Sequence, residues 1–348
     1  MTIELKAGPD DGGRRLDRVL RKALPEYSLS LIHRLLRQGK VRLNGKPASP
    51  DARIQAEDVI RVVLQVVIQE KTRTEARRAQ RPRGESKVSS IKNGRTKESS
   101  EENAEFSNDN SVSSVKLRVL RERSCEVLWR GSGIIVFNKP PGLATHGKDS
   151  LDTLVNAWLN GKLPASLSFK PGPLHRLDKP TSGAVAFSET IEGARLFSRL
   201  LRERKAVKTY LAIVEGRAED QVWQDDLIRD KTAQKTFAGG MAGSKSALTV
   251  VKALAGNGSF TLIEARIVTG RTHQIRAQAA AHGHPLAGDA KYGGHGFPGG
   301  FYLHAWKLEL GEYLEGFPQP LIAPLPGPFR SQISTLFNCP VNVPIMKV

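Results

Sequence analysis

Apolar positions along the first 70 residues switch from helical to alternating spacing. Leu16, Val19, Leu20, Ala23 and Leu24 fall at i, i+3, i+4, i+7 and i+8, one face of a helix over 15–24. Pro25 ends it. Ser28 or Ser30 can cap a second helix with Leu31, Ile32, Leu35 and Leu36 on its apolar side and Gly39 as its stop. Val41-Arg42-Leu43 then alternates like a strand, Asn44-Gly45 signals a tight turn, and Val59–Leu64 reads as another strand. The pattern predicts a small α-α-β-turn-β domain over 1–70.

Residues 71–115 lose this periodicity. They are basic to Lys97, acidic from Glu98 to Asp109, and hold one aromatic residue, Phe106. Such a stretch buries too little apolar area to offset its chain entropy, so a disordered linker is expected. Globular patterning resumes at 116 and continues to 348. Gly133–Phe137 reads as a buried strand ending in the turn Asn138-Lys139-Pro140-Pro141-Gly142-Leu143. A helix follows from Ser150, with Leu151, Leu154, Val155, Trp158 and Leu159 on one face. Further strands are expected at Ala184–Phe187, Lys208–Val214, Ala247–Leu254, Phe260–Val268 and Tyr302–Leu308, and helices over 192–205 and up to Ala281. Strands and helices mix without a regular βαβ rhythm. The expected class is α+β, a small α/β domain followed by a larger one with a mixed, mostly antiparallel sheet.

The charge adds a partner to this picture. The net charge is +18 over 348 residues, an excess that a small neutral metabolite does not require and that phosphates do. Nucleic acid is the leading expectation, against an anionic membrane surface or mere solubility. No run of about 18 apolar residues occurs, and Met1–Lys6 has no signal-peptide pattern. Cys125 and Cys339, the two cysteines, suit a reducing, cytoplasmic setting. A monomer is expected.

The stretch Gly172–Gly183 puts an imidazole, a guanidinium and a carboxylate into four residues, His175-Arg176-Leu177-Asp178. Turn formers bound it, and an apolar strand follows. It reads as a loop delivering polar groups at the lip of a buried strand. Alone, Asp178 before Lys-Pro-Thr reads more readily as a turn residue than as a catalyst. Tyr210, early in a strand, is either a core residue or a flat surface for an unstacked base. Arg271 precedes a helix, where it either binds a helix-end carboxylate or keeps an active carboxylate ionised. The histidines are scattered without metal-ligand spacing, so no metal is expected. Gly239–Ser246 lacks the spacing of a phosphate loop, and Gly-x-Ser-x-Gly is absent.

Four ordered segments resemble the RluA family of RNA pseudouridine synthases. They are Asn138–Leu143 with Thr145-His146; His175–Gly183; Lys208-Thr209-Tyr210-Leu211-Ala212; and Gly270-Arg271-Thr272-His273-Gln274-Ile275-Arg276 through Gly283–Gly293. Residues 14–68 resemble the S4-type RNA-binding domain, which points to the large-subunit ribosomal branch of the family. The resemblance implies isomerisation of uridine to pseudouridine in structured RNA. Ribosomal RNA is favoured; transfer RNA, or a noncatalytic ribosome-assembly role, is the alternative. It implies Asp178 as the essential carboxylate, Tyr210 as the ring stacking on the target base and a candidate proton acceptor at C5, and Arg271 as the arginine paired with the aspartate. Arg176 would fill the space of a flipped nucleotide. Arg34, Arg37, Lys40 and Arg42 would contact RNA from the S4-like domain. No cofactor is implied. The long linker departs from the family pattern.

Overall fold

The computed structural model describes residues 1–64, 125–240 and 242–338. The expected linker over 71–115 lies outside them. The described chain divides into two units, residues 1–64 with Pro164–Phe169, and residues 125–163 with 170–338.

In the N-terminal unit β1 (Thr2–Lys6) precedes helices α1 (Leu16–Ala23) and α2 (Leu29–Arg37), then β2 (Val41–Leu43), β3 (Lys46–Pro47) and β4 (Val59–Val63). Ser28 caps α2, its hydroxyl accepting from the Leu31 amide at 3.3 Å. The apolar faces of both helices close on Val41, Ile60 and Val62. The sheet runs β1-β4-β2-β3 and is antiparallel throughout. Strand β1 is an element that periodicity did not reveal, because its inward residues Ile3 and Leu5 are only half-buried. Pro164–Phe169 joins this unit through the buried Asp11. Its carboxylate accepts from Ser166 Oγ (2.9 Å), Leu167 N (2.7 Å), Ser168 N (2.9 Å) and Ser168 Oγ. Burial alone would raise its pKa, but these hydrogen bonds outweigh it and hold the carboxyl below its ordinary value.

The larger unit holds β5 (Glu126–Gly131), β6 (Ile134–Lys139), α3 (Leu151–Leu159), β7 (Gly172–Pro173), β8 (Ser182–Ser188), α4 (Ile191–Arg202) and β9 (Val207–Glu215). It continues with β10 (Gln221–Asp230), β11 (Lys235–Ala238), β12 (Lys245–Gly256), β13 (Phe260–Ile267), α5 (Gln274–Ala281), β14 (Leu303–Glu309), β15 (Leu321–Ile322) and α6 (Gly327–Phe337). Its sheet has the order β11-β10-β12-β13-β9-β14-β8-β6-β5, with β15 on β14 and β7 on β8. One pairing is parallel, β14 with β8; the expected mixed, mostly antiparallel sheet is therefore present.

Alternation along the strands sorts side chains to two faces. Tyr210, Ala212 and Val214 of β9 join Leu151 and Val155 of α3 and Ile275 and Ala279 of α5 in one core. Leu211 and Ile213 point the other way, against Phe329 and Ile333 of α6. Gly183 permits the β8–β14 crossing. Its φ is +109°, and a Cβ there would lie 2.3 Å from the Ala305 carbonyl oxygen. Beside it, His304 Nε2 donates to the Ala323 carbonyl (3.0 Å), so Nδ1 accepts from the Ser182 hydroxyl (2.8 Å). Burial pushes His304 down to about 4. Ser182 and His304 thus hold β8 and β14 together.

Candidate active site

Asp178 sits on the loop between β7 and β8, and the segment Lys139–Thr145 splints that loop on both sides of it. Thr145 Oγ1 donates to the Leu177 carbonyl (2.8 Å) and accepts from the Leu177 amide (3.1 Å). The buried Lys139 ammonium donates to the carbonyls of Leu143 (2.7 Å), Pro140 (3.0 Å) and Lys179 (3.3 Å). The Gly142 amide donates to Lys179 O at 2.9 Å. The residues before and after Asp178 are thus both fixed to one turn. Asp178 is a turn residue as well, its own carbonyl accepting from Thr181 N at 3.1 Å. His175 is neutral scaffolding. It accepts from the Ala186 amide (3.1 Å) and stacks on Phe197, and burial, aided by the charge of Lys208, pushes it down to about 3.

The arginine that meets Asp178 is Arg276, not Arg271. Arg276 Nη1 lies 3.2 Å from Asp178 Oδ2. The rest of its guanidinium is locked by Asp289, with Nε to Oδ2 at 2.6 Å and Nη2 to Oδ1 at 2.8 Å. The rings of Tyr292 and Phe301 sandwich it, 4.8 and 4.6 Å from Cζ to the centroids. Burial works against the charge, but the hydrogen bond and charge of Asp289, then Asp178, raise the Arg276 pKa. The reason for the exchange is helical phase. α5 begins at Gln274, so Arg276 is carried inward on a helix that also buries Gln274 and Gln278. Arg271 stays exposed before the helix and donates Nε to the Ser246 carbonyl at 3.0 Å.

His273 completes the surroundings of the carboxylate. It takes a left-handed conformation (φ +53°) at the start of α5. Its Nε2 lies 3.6 Å from Asp178 Oδ2, and its Nδ1 meets the Tyr292 hydroxyl at 2.8 Å. Tyr292 accepts from the Thr236 amide at 2.9 Å, which leaves its own proton for Nδ1. The neutral ring then carries its proton on Nε2, facing Asp178. Burial lowers the His273 pKa against the opposing pull of Asp178.

Asp178, Tyr210, Arg271 and Arg176 all line one cleft of about 580 Å³. A smaller recess of about 70 Å³ adds Arg276 and Thr181 to the same walls. Tyr210 is buried in the core, as one of its two sequence readings expects, and also lines the cleft. Burial first, then the charge of Asp178, pushes its phenol well above the ordinary tyrosine value. Arg176 is exposed at the mouth. In the N-terminal unit Arg34 and Arg37 lie on α2 and Arg42 on β2, all exposed, with Lys40 half-buried between them. The residues missed by sequence reasoning are Arg276, His273 and Asp289. All three stand in the segments that resemble the family. Among the described residues no His/Cys/Asp/Glu cluster could hold a metal, and no helix is long and apolar enough to cross a membrane.

The family model described as RNA pseudouridylate synthase matches residues 133–281, and the S4 domain model matches 14–60. Ribosomal large subunit pseudouridine synthase D of Neisseria meningitidis serogroup A is 30% identical over 345 residues, covering 93% of this chain and 79% of that protein. Ribosomal large subunit pseudouridine synthase C of Escherichia coli K12 is 29% identical over 288 residues, covering 82% and 77%. Human RNA Pseudouridylate Synthase Domain Containing 4 shares the fold, with a TM-score of 0.53 at 20% identity over 63% of this chain and 95% of that one.

Proposed function

Because the chain belongs to the RluA-type RNA pseudouridine synthases that carry an S4 domain, we propose that it isomerises uridines of large-subunit ribosomal RNA at the cleft around Asp178. The N1–C1′ bond of the nucleotide breaks, the uracil turns, and C1′ bonds to C5. The C5 proton leaves and N1 gains one, so the reaction has no net co-reactant. A base inside a helix is out of reach, so the target nucleotide must be extruded. Tyr210 offers the flat floor for it. Its raised pKa keeps the phenol neutral, which favours stacking over proton abstraction for this ring. Arg176, exposed on the cleft wall, takes the vacated position in the RNA.

Asp178 assists cleavage at C1′, where breaking the glycosidic bond develops positive charge. The observation that carries this reading is the Asp289–Arg276–Asp178 chain. It fixes a half-buried carboxylate on the cleft wall with a guanidinium at hydrogen-bond distance. The exposed cations Arg34, Arg37 and Arg42, with Lys40, supply sequence-independent phosphate contacts from the S4 domain.

Tritium release from RNA labelled at uracil C5 tests the chemistry: Asp178→Asn should abolish it, and retained turnover would remove Asp178 from the mechanism. Pseudouridine mapping of total RNA with and without the protein tests the substrate. Sites in large-subunit ribosomal RNA should disappear without it; loss confined to transfer RNA would redirect the assignment.

A further inference from the structure

We propose that Lys208 is an anion-binding residue of the cleft, and that it takes a backbone phosphodiester of the RNA beside the nucleotide whose base lies on Tyr210. The inference rests on the reading of this cleft as the RNA site. Lys208 and Tyr210 are two apart on β9, so they share a side of the sheet, about 7 Å apart along the strand. Both line the cleft. The Lys208 ammonium lies against Gly270, where a Cβ would stand 3.7 Å from Nζ.

Lys208 differs from the other buried or half-buried cations of this unit, of which Lys235 sits over the rings of Phe237 and Tyr292. Lys139 is satisfied by three carbonyls, Arg276 by two carboxylates, and Lys307 by Glu264 at 3.1 Å. Among the described residues Lys208 has no ion-pair or hydrogen-bond partner, although it is half-buried and burial lowers its pKa. A desolvated ammonium without a partner is unfavourable in the free protein, and a bound anion relieves it. The cleft itself offers none, since Asp178 is the single carboxylate on its walls and Arg276 holds it. The remaining wall charges are Arg176, Arg202, Arg204, Arg266 and Arg271, all exposed. Repeated cations without acids fit a phosphodiester backbone better than a neutral uracil carbonyl.

The probe is a short hairpin RNA with an all-uridine loop, in which single loop linkages are replaced in turn by neutral methylphosphonates. Affinity is measured for wild type, Lys208→Met and Lys208→Arg. One linkage should be special. Neutralising it should weaken wild-type binding roughly tenfold to hundredfold, as expected for a charge-assisted hydrogen bond. The same change should cost Lys208→Met nothing further, and Lys208→Arg should keep the sensitivity. No sensitive linkage in wild type, or a sensitivity that survives in Lys208→Met, overturns the proposal; the latter would point to a uracil contact or a structural role. Removing an unpartnered charge should leave the tryptophan-fluorescence unfolding midpoint unchanged or raised, and a clear fall would also overturn it. Tritium release by wild type on the same hairpin separates the two readings. Linkage-specific loss without turnover removes the isomerase assignment of the cleft and leaves the phosphate site. Turnover without linkage-specific loss does the reverse.

Discussion

Asp289→Asn removes one negative charge from a side chain that never faces the cleft, yet it should cost both stability and turnover. Asp289 is 2% exposed and accepts two hydrogen bonds from Arg276, of 2.6 and 2.8 Å. Taking one partner from a buried ion pair costs about 3–5 kcal/mol. Asparagine keeps the shape and one acceptor oxygen, which places the loss near the lower end, about 3 kcal/mol. A domain of 150–250 residues loses about 2–4 °C per kcal/mol, so the midpoint should fall by roughly 6–12 °C. All four tryptophans, Trp129, Trp158, Trp223 and Trp306, belong to the larger unit, so tryptophan fluorescence reads that unit alone.

The functional loss follows from position. Arg276 reaches Asp178 through Nη1 while Asp289 holds Nε and Nη2. A released guanidinium shifts by an ångström or more, and misplacement on that scale costs about 100-fold in rate. The loss should fall on kcat in the tritium-release assay, with the KM for RNA nearly unchanged. A cycle with Arg276→Met isolates the pair: once the buried cation is gone, Asp289→Asn should cost little more stability. If the two losses simply add, or if Asp289→Asn keeps wild-type kcat, then Asp289 does not act through Arg276.

Three further outcomes follow from single contacts. Arg271→Gln removes an exposed guanidinium bonded to one carbonyl, so the unfolding midpoint should stay within about 2 °C while the KM for RNA rises; a large stability loss would contradict the exposed placement. Gly183→Ala forces a Cβ onto Ala305 at φ +109° and should cost on the order of 3 kcal/mol, so an unchanged midpoint would refute the need for that crossing. Burial lowers the Lys139 ammonium from 10.5 to about 8. The unfolded chain therefore binds more protons between those values, and the stability of wild type relative to Lys139→Met should rise as pH increases from about 8 to 10.5; unfolding curves at the two ends of the window check the sign, and a flat or falling difference would contradict it.

Elements that bury one face and show the other to water were legible, because burial writes a period into the sequence. Helices α1, α3 and α4 and strands β6, β9 and β13 lie within a few residues of the expected ranges. Strand β10 escaped because the polar Asp225, half-buried and accepting from Gln278, sits between Trp223 and Leu227 on the inward face, while Val222 on the other face is 57% exposed. Helix α5 is the opposite case. It is buried on nearly every side, so Gln274, Arg276 and Gln278 face protein and are satisfied there. A polar residue on such a helix looks in sequence like a solvent-facing one. Periodicity cannot assign it, since the hydrogen bonds that make its burial affordable come from Thr249, Asp225 and Asp289.

The exchange of Arg271 for Arg276 has the same physical origin. Both arginines stand in one seven-residue segment, and a charge-based argument favours the one in the loop, because a lone arginine inside a helix core is costly. That cost is removed by Asp289, thirteen residues onward in a turn-rich stretch that showed no helical or strand period. Asp178 was singled out by the resemblance, since a carboxylate in a turn-rich loop taken alone reads more readily as a turn residue. Its partner was not, because a buried cation is identified by its counter-charge rather than by its own position. The same test marks Lys208, a half-buried cation of the cleft for which the described residues supply no counter-charge. A cation left unpaired by its own fold, beside a carboxylate already paired, is where an anionic substrate has to complete the site.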